Sequence, residues 1–290
     1  MKNDVPICPL LSIVIANYNF GQFLKEAISS VLDQECPDVE LIVVDGGSAD
    51  NSVEVIKRFS SQLAWWCSEK DSGQSEAFNK GFRHARGKYL TWLNADDVMP
   101  TGSLSRIVSE LRRHPTCEWF TGNHLRFLES DKTIIQVEWG PNYYPKILQK
   151  KNSPLVIFGP STFFTKYAYE RVGRIDETLH LAMDTDLWLR FQAAGIKQRR
   201  INCYCWAFRM HEKSKTAEYE GHKHVSHGSG AKLAMEHLKA ASKVSYRPSA
   251  IIRCLMMVFR IFDGSFAKRF FERKRLLGAN ITSHMVAVCN

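Results

Sequence analysis

The chain has 290 residues, 44% of them apolar and 24% charged, with a net charge of +9. That balance excludes a collagen, a coiled-coil rod, a mostly disordered chain and a polytopic membrane protein, and the length suits one large α/β domain or two modest ones. The charge is lopsided: residues 221–290 hold 12 Lys/Arg against 3 Asp/Glu, which is the whole net charge, whereas residues 1–220 hold 27 of each sign.

Residues 11–16 (LSIVIA) read as a buried strand, and Phe23, Leu24, Ala27, Ile28, Val31 and Leu32 then recur at helical spacing. Residues 40–45 (ELIVVD) form a second buried strand that ends in an acid, with a Gly46-Gly47-Ser48 turn after it. A helix follows through Val53, Ile56 and Phe59, and Asn51 with Glu54 reads as its capping box. Residues 63–68 are a third strand, Ala77 to Ala85 a helix, and residues 88–93 (KYLTWL) a fourth strand that runs into Asn94-Ala95-Asp96-Asp97. Strand–helix alternation of this kind predicts a parallel sheet with right-handed crossovers.

After residue 115 the pattern changes. Short strands are expected at 118–121, 125–128, 133–139 and 161–164, a helix carrying Leu187, Trp188, Leu189 and Phe191 that ends at Gly195, and a strand at 200–208. From His222 onward basic and apolar residues interleave in a helical pattern. The shift in charge and the His/Gly cluster put a boundary near 218–230, dividing the chain into 1–220 and a basic helical extension, 221–290. The eight cysteines include no C-x-x-C pair, so reduced thiols in a cytosolic protein are expected. No signal peptide is expected at the start. Residues 254–259 are the longest apolar run near the C-terminus, far short of the ~20 that span a bilayer.

In a parallel sheet, ligands bind beyond the carboxyl ends of the strands. Three polar clusters fall there: Asn17-Tyr18-Asn19, Asp45 to Ser48, and Asn94 to Asp97. Taken one at a time they are ordinary turn residues; taken together they point to a site. Neither G-x-G-x-x-G nor G-x-x-x-x-G-K-[ST] is present, so the chemistry falls to acids. Asp96 and Asp97 repel one another, and Mg²⁺ or Mn²⁺ sharing its shell with phosphate oxygens would relieve that repulsion. Asp184 and Asp186 stand at the start of the helix expected over 187–194. They read either as acids favoured by its dipole or, for Asp184, as a general base. His211, just past a strand end, reads as filler or as a third metal ligand.

These residues carry a resemblance. Residues 12–19 (SIVIANYN), 43–52 (VVDGGSADNS) and 93–97 (LNADD) resemble the inverting glycosyltransferase family 2, with its GT-A fold. Residues 73–81 (GQSEAFNKG) resemble a bacterial surface-polysaccharide branch of it. Residues 172–177, 183–190 (MDTDLWLR) and 208–216 resemble its acceptor-side and late histidine segments, so the motifs extend from residue 11 to 216. The resemblance implies a nucleotide-sugar donor, UDP-linked in most members, and a divalent metal, Mn²⁺ or Mg²⁺. It implies donor binding by Asn17, Asp45, Asn94 and Asp96, metal binding by Asp96, Asp97 and His211, and Asp184 as catalytic base. Three positions depart from the pattern: Gly46 stands where many members have a second acid, Asn94 where the first acid of D-x-D is usual, and Met183 where Glu is usual.

The expected acceptor is a glycan or a lipid-linked sugar, in polysaccharide assembly on the inner face of the cell membrane. Trp139, Tyr143 and Tyr144 could stack on sugar rings or pack in the core. The basic tail suits an anionic membrane surface, or helices packed on the catalytic body with lysines in water. A sugar-phosphate nucleotidyltransferase would need basic residues early in the chain, and residues 16–22 (ANYNFGQ) have none. A nucleic-acid-binding protein would need its charge beside the sheet, so nucleic acid is not an expected partner.

Overall fold

The computed structural model describes residues 8–139, 159–212, 229–243 and 265–281. The branched runs make β1 (Leu11–Asn17) and β2 (Val39–Asp45), both buried almost throughout, as strands covered on both faces must be. Between and after them come α1 (Gly21–Leu32), α2 (Ser52–Phe59), β3 (Trp65–Ser68), α3 (Gln74–His84), β4 (Tyr89–Asn94) and α4 (Ser103–Arg113). Then follow β5 (Trp119–Leu128), β6 (Ile134–Glu138), β7 (Thr162–Thr165), α5 (Lys166–Arg171), α6 (Met183–Ala193), β8 (Gln198–Met210), α7 (Ser229–Lys243) and α8 (Ser265–Leu276). The strands form one sheet in the order β3-β2-β1-β4-β7-β5-β6, with β8 also paired to β5. The first four are parallel, β7 runs antiparallel to β4 and to β5, and β8 runs parallel to β5.

Alternation along β1 divides the core. Leu11, Ile13 and Ile15 pack with Leu24 and Ile28 of α1, Ile56 of α2 and Leu104 and Ile107 of α4. Val14 packs on the other face with Phe78 and Phe82 of α3 and Leu187, Trp188 and Phe191 of α6. Trp92 of β4 stacks on Trp188 with ring centres 5.5 Å apart and planes 3° from parallel. Cys203 and Cys205 are both buried in the first of these clusters, facing one side of β8 as period-2 alternation requires. The cysteines among the described residues are free thiols.

Several local expectations change. A single strand, β5, replaces the two short ones at 118–121 and 125–128. Gly122, between those two stretches, lies against β8 so closely that a Cβ would sit 2.3 Å from Cys205 Sγ. The capping box at Asn51 does not form. Its task falls to Asp50, whose Oδ1 accepts from Ser52 N at 3.0 Å and whose Oδ2 accepts from Gly21 N at 2.9 Å, tying α1 to α2. α4 was not expected, although Leu104, Ile107, Val108 and Leu111 mark its buried stripe.

The two described helices of the basic stretch touch the body. Glu236 of α7 hydrogen-bonds the chain before α6, and Leu276 of α8 and Ile281 share a cluster with Leu125, Phe127 and Ile134. No helix among the described residues is long and apolar enough to cross a membrane.

Candidate active site

The carboxyl ends of β1, β2 and β4 meet at one edge. Asn17 pairs with Asp45 in the register of the parallel ladder, and Ala16 with Asn94. Asp45 is fully buried. Its Oδ1 accepts from Asn17 Nδ2 at 2.6 Å and Ser48 Oγ at 2.5 Å, and its Oδ2 from Ser68 Oγ at 2.6 Å and Ser48 N at 3.0 Å. Burial alone would raise this carboxyl, but these donors outweigh it and hold the group below its ordinary value. Asp45 is thus a charged pin that shapes the turn. Asn17 Oδ1 beside it is buried and has no partner among the described residues.

Gly46, the departure from two acids, has a structural counterpart. A Cβ at Gly46 would lie 2.9 Å from both carboxylate oxygens of Asp71. An acid therefore does stand at this point, delivered from the chain after β3. Burial raises the Asp71 carboxyl above its ordinary value.

Beyond β4, Asn94 Oδ1 accepts from Gln74 Nε2 at 2.6 Å, and Asn94 Nδ2 donates to Asp97 Oδ2 at 2.8 Å. An aspartate at 94 would face Asp97 without that proton, so the amide suits an already acidic turn. Asp96 Oδ2 lies 3.1 Å from His211 Nε2, which joins the end of β4 to the end of β8. The His211 ring rests against Phe23, 4.5 Å between centres.

Asp97 does not join them. It is fully buried, and its Oδ1 accepts from Arg209 N at 2.9 Å. Burial, with the charge of Asp96 next to it, pushes its carboxyl well above the ordinary value. Asp97 braces the turn from beneath, while Asp96 and His211 stand together at the strand ends. Among the described residues no three His, Cys, Asp or Glu side chains gather as a metal cluster. One carboxylate and one imidazole still fit a divalent ion that takes its remaining ligands from phosphate and water.

The loop before α6 is bound to the end of β4 by neighbouring residues of α3. Gln74 holds Asn94, while Ser75 Oγ donates to Leu179 O at 2.5 Å and reaches Met183 Sδ at 3.1 Å. The unusual Met183 is buried and serves this packing. Asp184 follows at the start of α6, half-buried. Its Oδ1 accepts from Thr185 N at 2.6 Å. Burial raises its carboxyl above the ordinary value, and the Thr185 N–H and the charge of His237 offset part of that rise. Asp186 is fully buried. Its Oδ2 accepts from Arg190 Nε at 2.8 Å and Nη2 at 2.6 Å, and its Oδ1 from Lys243 Nζ at 2.7 Å.

Two groups escaped the sequence reading. Arg209 is a fully buried cation. Its Nε donates to Asp96 O at 2.6 Å, its Nη2 to Glu26 Oε2 at 2.7 Å and its Nη1 to Glu129 Oε2. It fixes the backbone that carries Asp96, and in sequence it is only a charged residue in an apolar strand. Asp71 was overlooked although it lies three residues past the third strand, as Asp96 does past the fourth. Trp139 Nε1 donates to Glu272 of α8 at 2.8 Å; Tyr143 and Tyr144 lie outside the described residues.

The family model for glycosyl transferase family 2 matches residues 12–173. An uncharacterized glycosyltransferase of Nostoc sp. is 38% identical over 130 residues, covering 43% of this chain and 40% of its own length. The chain thus spans less than half of that curated relative. Among solved structures, Staphylococcus aureus TarS 1-349 in complex with UDP-GlcNAc is 13% identical with a TM-score of 0.52, over 80% of this chain and 72% of that one. The mannosyltransferase PcManGT of Pyrobaculum calidifontis, in complex with GDP-Man and Mn²⁺, is 15% identical with a TM-score of 0.56, over 97% and 86%. These two likenesses speak to the fold, a mixed GT-A sheet with flanking helices. The family match covers more than half of the 290 residues and contains the strand ends that build the site, and on that ground the chain belongs to glycosyl transferase family 2.

Proposed function

We propose that the chain moves a sugar from a nucleoside-diphosphate donor to an acceptor hydroxyl, with inversion at the anomeric carbon and Asp184 as general base. The observation that carries the reading is the α3 bridge: Gln74 and Ser75 hold the donor-side Asn94 and the acceptor-side loop before Asp184 within one helical turn.

Asp184 suits the base because its carboxyl is raised and has few partners, whereas Asp186 is committed to two cations. Asp184 takes the proton of the acceptor hydroxyl as its oxygen attacks the anomeric carbon from the face opposite the leaving diphosphate. One base and no enzyme nucleophile give inversion. Asn17 Oδ1, a buried acceptor without a protein partner among the described residues, suits a base N–H such as the imide of uracil. Asp71, standing where Gly46 leaves room, suits the same nucleoside pocket. Asp96 and His211 are the residues that would hold Mn²⁺ or Mg²⁺. When bound, the ion neutralises charge on the departing diphosphate. Solved proteins of this fold in complex with UDP-GlcNAc and with GDP-Man and Mn²⁺ support this choice of donor class and metal.

The acceptor is proposed to be a growing cell-surface glycan or a lipid-linked sugar at the inner face of the membrane. On α8, Phe270 and Phe271 are exposed beside exposed Arg273, Lys274 and Arg275, as on helices that rest in an anionic interface. The test uses nucleotide release from UDP-GlcNAc and GDP-mannose. EDTA should abolish release and Mn²⁺ restore it. Asp184→Asn should lower turnover by about 100-fold or more with donor affinity unchanged. Full turnover by that variant would remove Asp184 from the reaction.

A further inference from the structure

The start of α6 lacks a cap of its own. Its N-cap position is Ala182, which offers no side-chain acceptor. The backbone that leads into the helix is instead held by an acceptor more than fifty residues away. Glu236 of α7, itself buried, places Oε2 at 3.1 Å from His180 N, 2.8 Å from Leu181 N and 3.1 Å from Ala182 N. A carboxylate that takes three backbone N–H groups at the positive end of a helix is a strong, charge-assisted anchor.

Glu236 does not act alone. Lys239 Nζ donates to Thr178 Oγ1 at 2.8 Å, and Lys243 Nζ donates to Asp176 Oδ2 at 2.6 Å and to Asp186 Oδ1 at 2.7 Å. Residues 236, 239 and 243 share one helix face. That face grips the segment from 176 to 186, while α3 grips it from the other side through Ser75 and through Asn79, whose Nδ2 donates to Ile175 O at 2.9 Å. Asp184 Oδ1 accepts from Thr185 N in the first turn of α6, which leaves its second carboxylate oxygen for other work.

We propose that Glu236 is the positioning residue for Asp184, and that α7 therefore completes the acceptor side of the active site. The inference rests on the reading of Asp184 as base. Helix α7 contributes geometry and no chemistry: by fixing the backbone of 180–182 it fixes the direction of the side chain two residues on. A displacement of about 1 Å at a reacting group can cost 100-fold in rate.

The test is made on the full chain with Glu236→Ala and Glu236→Gln. Amide hydrogen exchange over 177–186 needs no donor, and nucleotide release from UDP-GlcNAc or GDP-mannose with Mn²⁺ gives kcat and KM. Glu236→Ala should speed exchange in that segment about fivefold or more and leave β1, β2 and β4 protected. Its kcat should fall about 10- to 100-fold with donor KM within about twofold of the parent. Glutamine keeps a carbonyl acceptor without the charge, so both readouts should fall between the parent and the alanine variant. Unchanged exchange in Glu236→Ala, or faster exchange with unchanged kcat, would overturn the proposal. If the alanine variant does not fold, a glutamine variant equal to the parent in both readouts would overturn it as well. Asp184→Asn in the same assay separates the two readings: full turnover by it overturns the base and leaves the exchange result to judge the anchor.

Discussion

Asp184 and Asp186 sit two residues apart on one helical turn, and their surroundings make them different groups. Asp186 is enclosed with Arg190 and Lys243, and breaking a buried ion pair leaves its partners' charge without compensation, at about 3–5 kcal/mol. Asp186→Asn should lower the urea midpoint accordingly, whereas Asp184→Asn, which removes a charge that burial disfavours, should leave it unchanged or higher. Equal midpoints for the two would contradict this division of roles. His124 makes a second prediction at the same scale. Burial, with the charge of Arg126, lowers its pKa from 6.5 to about 3. Between those values the unfolded chain binds a proton that the folded one refuses, so stability falls as pH drops through that window. Thermal melts from pH 7 to 4 should show a steep acid slope that flattens in His124→Phe; a parallel slope would mean that another group dominates.

At the scale of elements, α3 is the part on which the site turns, since Gln74, Ser75 and Asn79 reach Asn94, Leu179 and Ile175. Its closeness to the sheet depends on Gly81. A Cβ there would lie 2.3 Å from Val14 Cγ1 and 3.2 Å from Val44 Cγ2. Alanine improves helix propensity by about 1 kcal/mol, but overpacking costs about 1–3 kcal/mol or more, so the steric effect wins. Gly81→Ala should lower Tm and weaken turnover together, and Val14→Ala in the same chain should restore part of both. A variant with parental Tm would show that the sheet yields more readily than this packing implies.

At the scale of the molecule, the basic stretch is tied to the catalytic body at two places, α7 through Glu236, Lys239 and Lys243, and α8 through Leu276. A chain ending at 220 would leave Asp186 without Lys243, three backbone amides without Glu236 and a gap beside Leu125 and Phe127. Its Tm should be clearly lower than that of the full chain. The outward face of α8 is a separate matter. Phe270 and Phe271 are 59% and 68% exposed, and basic residues near an anionic leaflet contribute about 1 kcal/mol each. The full chain should therefore co-sediment with phosphatidylserine vesicles at low salt, and less so with neutral vesicles or at high salt. Equal sedimentation with neutral vesicles would point to apolar contact alone. Packing and the proposed membrane contact are compatible, because different residues would serve each.

The strands of the first half were legible because a sheet covered on both faces demands near-continuous apolar runs, and 11–16, 40–45 and 88–93 are largely such runs. The acids at their ends were legible for the same reason, since a strand's carboxyl end is where a parallel sheet opens to ligand. What each acid does was not legible. Asp45, Asp97 and Asp186 read like Asp96 and Asp184 in sequence, yet the fold encloses the first three with donors or cations and leaves the other two less engaged. That sorting depends on partners such as Ser68, Arg209 and Lys243, which lie 23, 112 and 57 residues away from those acids. The role of the basic tail was hidden likewise: charge composition records how many lysines there are, and only tertiary packing decides that Lys243 faces a buried carboxylate while Lys274 faces water.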